Sequence, residues 1–323
     1  MINININSSL SKLTLLLNKY NLLFDDEVLL KISKAGDGNM NIVLRVKSNK
    51  RSFIFKQSRP YVQKFKEIQA PIERINVEYN FYKSINQIES QRNFPKIIGY
   101  VKDHFFMMLE DLGISDDFLD IYIKRKINKT SIIKLTRILK DIHLCNYDDS
   151  YPLNNELKKL NHQHIFVLPF MKNNGFSLNS VQPGLEILAN TFINKENLKN
   201  KSLVIGEKYL KKGKTLLHGD FYPGSWMQND NKIFVIDPEF SFVGDLEFDL
   251  GVFIAHIIIA TQNKKYLNEI ISYYSNSVNI DLVSNYAGIE IIRRLTGLAQ
   301  LPTNLTLKEK EVLLKLSEHL LLK

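Results

Sequence analysis

The sequence predicts an α+β protein of two lobes, a small β-rich N-terminal lobe followed by a larger, mostly helical one. Two observations carry this. Five short β-rich runs surround a single helical stretch in the first third of the chain, and beyond Gly113 the apolar spacing becomes helical. A length of 323 residues allows one large core or two lobes. We divide the chain into residues 1–110 and 111–323, with Glu110–Gly113 as the join.

The elements follow in order. A first helix is expected from Ser9 to Leu23, with Leu10, Leu13, Leu16 and Leu17 on one face. Val28–Ile32, Ile42–Lys47 and Ser52–Lys56 are short and β-rich, and the turn signals AGDGN and SNKR separate them, so they form an antiparallel meander. Pro71 opens a helix reaching about Ile88, with Ile72, Ile75, Tyr79 and Tyr82 at helical spacing. Two more strands are expected, Lys96–Val101 and His104–Leu109. In the second lobe, Lys195–Lys214 is polar and lysine-rich, a solvated helix or loop. Leu216–Ile254 reads as a strand, a loop, a hairpin, a second apolar strand, the tetrapeptide DPEF and a helix.

Composition narrows the function class. Hydrophobic content of 44% and charged content of 24% are those of an ordinary globular protein. The single cysteine, Cys145, excludes an internal disulfide framework, and its apolar-periodic neighbours point to a buried thiol. No run approaches the ~20 apolar residues that span a bilayer, and Val252–Ala260, interrupted by His256, reads as a buried helix. The N-terminus lacks a basic region ahead of its apolar part, so a cytoplasmic protein without membrane contact is expected. A net charge of +9 invites a nucleic-acid partner, but the lysines are scattered and no binding motif accompanies them. A small-molecule partner is expected instead, and a homodimer is left open.

The chemistry concentrates in LLHGDFYPGSWMQNDNKIFVIDPEFSFVGDLEFDLGVFI. Asp220 follows Leu216–Leu217 and Asp237 follows Phe234–Ile236, so carboxylates emerge where apolar strands end. Charge beside a core is costly unless a cation or a proton transfer uses it. Asp237 and Glu239 are two apart, and if the strand continues through Pro238 both point to one side. Two hard oxygen ligands suit Mg²⁺, which fills its other positions with phosphate oxygens and water. DPE alone is equally a turn, and the preceding HGD tips the balance toward phosphoryl transfer. Asp220 then accepts or orients the proton of an acceptor hydroxyl.

HGDFYPGS followed by VIDPE resembles the aminoglycoside phosphotransferase and choline kinase superfamily, relatives of the protein kinases. Gly224–Ser225 and Asp237–Pro238–Glu239 are similar to the catalytic-loop ending and metal motif of its 5-methylthioribose kinases. The resemblance implies a protein-kinase-like fold, with ATP and Mg²⁺ as cofactors. AGDGNMNIVLRV resembles the nucleotide-covering loop, which assigns Gly36, Asp37, Gly38 and Asn39 to the phosphates. FIFKQ makes Lys56 the phosphate-binding lysine and Glu78 its ion-pair partner. MLEDLG resembles the adenine hinge, with Glu110 and Leu112, and Ser225 joins the nucleotide side. By the same resemblance Asp220 is catalytic, Asp237 and Glu239 hold the metal, and Tyr222, Arg293 and Arg294 face the acceptor. Asp249 braces the catalytic loop, and His218 anchors it. Three departures fall on the acceptor side. Tyr222–Pro223 replaces the usual His-Thr, EIQAPIER lacks the expected tryptophan, and the chain is short between Leu112 and Leu216 and at its C-terminus.

The expected function is therefore an ATP-dependent kinase of a sugar hydroxyl, first of all 5-methylthioribose in methionine salvage. The alternatives are another small alcohol, a sugar or an aminoglycoside, or a non-catalytic nucleotide-binding protein. From residue 241 onward 8 Lys/Arg face 9 Asp/Glu, a balance that does not suit a polycationic antibiotic. Twin arginines also disfavour choline, whose quaternary amine wants an aromatic cage.

Overall fold

The computed structural model describes residues 2–36, 40–172 and 175–323. Helix α1 (Leu10–Lys19) starts where the Ser9 side chain accepts from the Lys12 N–H. It stops short of Leu23 because Asn21 turns left-handed, at φ 53°, and the Leu22 N–H closes back on the Leu17 carbonyl. The meander is β1 (Leu29–Lys34), β2 (Ile42–Ser48) and β3 (Ser52–Gln57). Helix α2 (Arg74–Ile85) precedes β4 (Ile97–Val101) and β5 (Phe106–Glu110). Left-handed Phe105 delays β5 by two residues from its expected start at His104. The sheet is antiparallel throughout, in the order β1-β2-β3-β5-β4.

Period-two alternation gives this sheet two purposes. Phe53 and Phe55 of β3 and Phe106 and Met108 of β5 pack under Leu13, Leu16 and Leu17 of α1. Met107, Leu109 and the buried Lys56 belong to the other face, where α2 and the second lobe lie.

The second lobe opens with a short strand β6 (Asp116–Asp117) and helices α3 (Ile121–Lys124), α4 (Lys129–His143), α5 (Asn155–His162), α6 (Leu185–Ile193) and α7 (Glu196–Leu210). The lysine-rich segment expected to be solvated is α7, exposed on one side and burying Leu198, Ile205 and Tyr209 on the other. Strand β7 (Thr215–Leu217), the hairpin β8 (Trp226–Asn229) and β9 (Lys232–Val235), and β10 (Phe242–Gly244) carry the loops of interest. β10 pairs with β7, and β8 lies between β6 and β9.

Four helices complete the lobe: α8 (Glu247–Thr261), α9 (Tyr266–Tyr274), α10 (Ile280–Thr296) and α11 (Leu307–Leu322). Helix α8 is apolar on nearly every side and buried from Phe248 to Ala260, as a central helix must be, and α10 packs along it. Helix α11 is closed by a reciprocal cap between Thr306 and Glu309. Cys145 is buried beside α2, where its thiol donates to the Ser84 carbonyl and burial lifts its pKa to about 11. Among the described residues no helix is long and apolar enough to cross a membrane.

Candidate active site

The loop after β7 is set by one carboxylate. Asp249, fully buried in the first turn of α8, accepts from the backbone N–H groups of His218 at 2.7 Å and Gly219 at 3.0 Å. His143 Nε2 lies 3.3 Å from the same side chain. Gly219 takes φ +83°, and a Cβ there would lie 2.1 Å from the Phe240 carbonyl oxygen. Only glycine lets the HGD loop pass so close to the turn after β9. His218 is spent as an anchor. Its Nε2–H donates to the Ile236 carbonyl at 3.0 Å, and its Nδ1 stands 3.3 Å from the Asp220 N–H. Burial lowers the pKa of this imidazole, which keeps it neutral.

The metal motif differs from its expected geometry. Asp237 is left-handed, at φ 61°, and Pro238–Phe240 form a 3₁₀ turn, so the strand does not continue through Pro238. The proline that could not extend the ladder starts a turn instead. The two carboxylates nevertheless both meet cations of the first lobe. Asp237 Oδ1 lies 2.6 Å from Lys56 Nζ, and Glu239 Oε2 accepts from Asn41 Nδ2 at 2.9 Å and lies 3.1 Å from Arg74 Nε. The Arg74 Nε–H is not aimed at that oxygen, so the contact is Coulombic rather than a hydrogen bond. The rest of this fully buried guanidinium donates to the carbonyls of Met40, Arg59 and Pro71.

Lys56 and Glu78 form a buried ion pair at 2.7 Å. Burial works against both charges. It lifts Glu78 up to about 8, whereas Lys56 is held above its ordinary range because Asp237, Glu78 and Glu239 together outweigh the loss of water.

Asp220 stands opposite, a quarter exposed to the cleft. Burial pushes its pKa up to about 6, against the pull of Arg294 and Arg293. Arg294 Nη2 is 3.6 Å from Asp220 Oδ1, and its guanidinium lies over the Tyr222 ring, 4.9 Å from the centroid. Both arginines are buried and both reach Glu290. Arg293 Nε donates at 2.7 Å and Arg294 Nε at 2.7 Å, so neither snorkels to solvent. Ser225 is also buried. Its hydroxyl donates to the Asp220 carbonyl, its N–H donates to the Tyr222 carbonyl, and its own carbonyl accepts from Ile236.

The structure thus links Lys56 with Glu78 and Asp237, and Asp220 with Ser225, Arg294 and, through Arg294, Tyr222, while Glu290 holds Arg293 and Arg294 and Glu239 lies close enough to influence Asp220. At the join, the Leu112 carbonyl accepts from Asn229 Nδ2, and Lys96 N–H donates to the Glu110 side chain. Gly36 is exposed with open space around it, and Asp37, Gly38 and Asn39 lie outside the described residues. Sequence reasoning missed Asn41, Arg74 and Glu290. The spacing of Glu290 at three and four residues before the arginines was a usable signal. So was Arg74, one turn before Glu78 on the same helix.

A model of the phosphotransferase enzyme family matches residues 31–281. The chain belongs to this family. A curated relative, the methylthioribose kinase of Exiguobacterium sibiricum, is 28% identical over 70% of this chain. The chain spans only 60% of that relative's length. Among solved structures of the same fold, the choline kinase LicA from Streptococcus pneumoniae aligns with a TM-score of 0.54 at 13% identity, covering 96% of this chain and 99% of that one. The spectinomycin phosphotransferase APH(9)-Ia, solved with ADP and spectinomycin, gives 0.54 at 16%, covering 96% and 94%. The two-lobed, protein-kinase-like fold expected for the family is the fold found.

Proposed function

We propose that the protein transfers the γ-phosphoryl group of ATP to a hydroxyl of a small sugar, 5-methylthioribose at its C1 hydroxyl in the first instance. The observation that carries the reading is the contact of Lys56 with both Glu78 and Asp237, with Glu239 close enough to Asp220 to help raise its carboxyl pKa. In phosphoryl transfer the protein chiefly aligns a hydroxyl and neutralises charge. Asp220 orients the acceptor hydroxyl and takes its proton as the new O–P bond forms and the bond from the γ-phosphorus to the bridging oxygen breaks, releasing ADP. Lys56, steadied by Glu78, holds the nucleotide phosphates, and Glu110 and Leu112 border the adenine. Ser225 keeps the loop between Asp220 and the hairpin in register, since its hydroxyl donates to the Asp220 carbonyl.

Asp237 and Glu239 fit a divalent cation. Among the described residues no three His, Cys, Asp or Glu side chains form a closed metal cage. One or two carboxylates are what Mg²⁺ takes when phosphates complete its shell. Bound there, the ion would neutralise charge on the β- and γ-phosphates.

The acceptor side supports a neutral sugar rather than a polycation, because two buried guanidinium groups flank Asp220 and repel an ammonium. The curated relative named as a methylthioribose kinase points the same way.

The test is ATP consumption with methylthioribose, ribose, choline, homoserine and kanamycin in parallel. Turnover with methylthioribose is expected, and turnover with kanamycin alone would overturn the acceptor. Asp220→Ala should lower kcat by about three orders of magnitude or more while ATP affinity stays near wild type. Near-normal turnover in that variant would remove Asp220 from the chemistry.

A further inference from the structure

Helix α8 is almost wholly apolar, yet at its centre stands His256, fully buried between Ala255 and Ile257. An imidazole in such a place is costly unless both nitrogens are satisfied. Both are. Nε2 lies 3.0 Å from Glu290 Oε1, and Nδ1 lies 2.6 Å from the Tyr122 hydroxyl.

The tautomer follows from counting acceptors. Glu290 Oε1 receives Arg294 Nε at 2.7 Å, Arg293 Nη2 at 3.1 Å and His256 at 3.0 Å, while Oε2 receives Arg293 Nε at 2.7 Å. An ionised carboxylate offers about four lone-pair sites and no hydrogen. His256 must therefore present Nε2–H to Glu290, which leaves Nδ1 to accept from Tyr122. The opposite tautomer would set a nitrogen lone pair against a carboxylate oxygen. Burial, reinforced by the two arginines, pulls the His256 pKa down to about 4, so the ring is neutral at working pH.

His256 also acts through its ring. Its centroid is 5.4 Å from that of Tyr222, and Tyr222 carries the Arg294 guanidinium on its face. One side chain thus supports Arg294 twice, by its edge through Glu290 and by its ring through Tyr222.

We propose that His256 is the positioning residue of the acceptor side: locked by Tyr122 as the Nε2–H tautomer, it orders Glu290 and Tyr222 so that both arginines stay in place beside Asp220. This rests on the phosphoryl-transfer reading above. His256 is fully buried, away from solvent. It acts through Glu290 and Tyr222, and it binds the specificity of the cleft to a helix of the core.

The experiment has a structural arm and a kinetic arm. In the first, ¹⁵N spectra of the histidines in the full chain, with His256→Gln to identify the resonance, should show a neutral Nε2–H ring from pH 6 to 8. Tyr122→Phe should move the Nδ1 shift. A protonated ring or an Nδ1–H ring in the wild-type protein overturns the proposal.

In the kinetic arm, His256→Phe keeps a ring but no donor, and should lower kcat/KM for methylthioribose by about tenfold or more, a loss expected from misplaced groups. ADP affinity, measured by calorimetry, should change less than twofold. His256→Gln retains a donor toward Glu290 and should recover most of the loss. Thermal melting shows that each variant is folded, and Gln carries the test if Phe is not. A folded His256→Phe with kcat/KM within twofold of wild type overturns the proposal, as does a loss of ADP affinity in step with kcat/KM. If the wild-type chain has the stated tautomer but no turnover with methylthioribose, the acceptor reading falls and the tautomer assignment is upheld.

Discussion

Gly219→Ala tests whether the distance between the HGD loop and the DPE turn sets the rate. The added Cβ would lie 2.1 Å from the carbonyl oxygen of Phe240 and 2.5 Å from its carbonyl carbon. Side-chain contacts are not sustained below 3.0 Å, and these atoms are backbone, so no rotamer relieves them. The loop or the turn must therefore move by about 1 Å, and a displacement of that size can cost on the order of 10²-fold in rate. A left-handed non-glycine residue adds about 1–2 kcal/mol, which lowers the melting temperature without deciding the kinetics. The assay is steady-state phosphorylation of methylthioribose at saturating ATP, with calorimetric ADP binding alongside. We expect kcat to fall about a hundredfold with ADP affinity within about threefold, because Lys56 and the first-lobe sheet are untouched. A folded variant with kcat within threefold of wild type would refute the argument, since it would mean that Asp220 and the carboxylates Asp237 and Glu239 tolerate a shift of their separation.

Two further outcomes follow from the charges. The Asp220 carboxyl, pushed up to about 6, is protonated below that pH and ionised above it. The rate with limiting acceptor should therefore fall about tenfold per pH unit below roughly pH 6 and level off above it. A profile flat from pH 5 to 7 would exclude Asp220 as the proton acceptor. Removal of divalent cations with a chelator should weaken ATP binding, read by calorimetry, by about tenfold or more, because the carboxylates Asp237 and Glu239 then face the phosphates directly. Equal affinity with and without Mg²⁺ would detach them from the metal.

Much of the fold was legible because its signals are local. The meander, the isolated helix and the hairpin each carry their own periodicity and turn residues, and the observed strands differ from the expected ones by only a few residues. The errors fell where a single backbone angle decides. Asn21 ends α1 early, Phe105 delays β5 and Asp237 breaks the assumed strand, all by left-handed conformations that apolar spacing does not encode. The candidate site was legible where chemistry-bearing residues cluster along the chain. The partners supplied from elsewhere were not. Asn41 and Arg74 reach Glu239 across some 165 residues or more of sequence, and no spacing rule links them. Lys195–Lys214 looked solvated because its lysines outnumber its apolar residues, yet Leu198, Ile205 and Tyr209 suffice to dock one face of a helix.

The charges of the site tie the two lobes together, Lys56 to Asp237 and Arg74 to Glu239. Lys56, Arg74, Arg293 and Arg294 are set among Glu78, Asp220, Asp237, Glu239 and Glu290, so four cations stand among five carboxylates. Each lobe supplies groups that the other needs. Lys56 and Arg74 are first-lobe cations, and Asp237 and Glu239 are second-lobe carboxylates that would otherwise repel at the same turn. A cleft of this kind has little attraction of its own for a polyanionic triphosphate, whereas a triphosphate that carries a divalent cation brings matching charge to both sides. On the proposed function Asp237 and Glu239 would hold the cation and Lys56 would hold the phosphates, each taking a partner in place of the present Lys56–Asp237 contact. Glu290 fixes Arg293 and Arg294 without any nucleotide, so on the proposed function the acceptor side would be ordered before binding. On the proposed function, orientation established before binding is the part of the barrier this site would most readily lower.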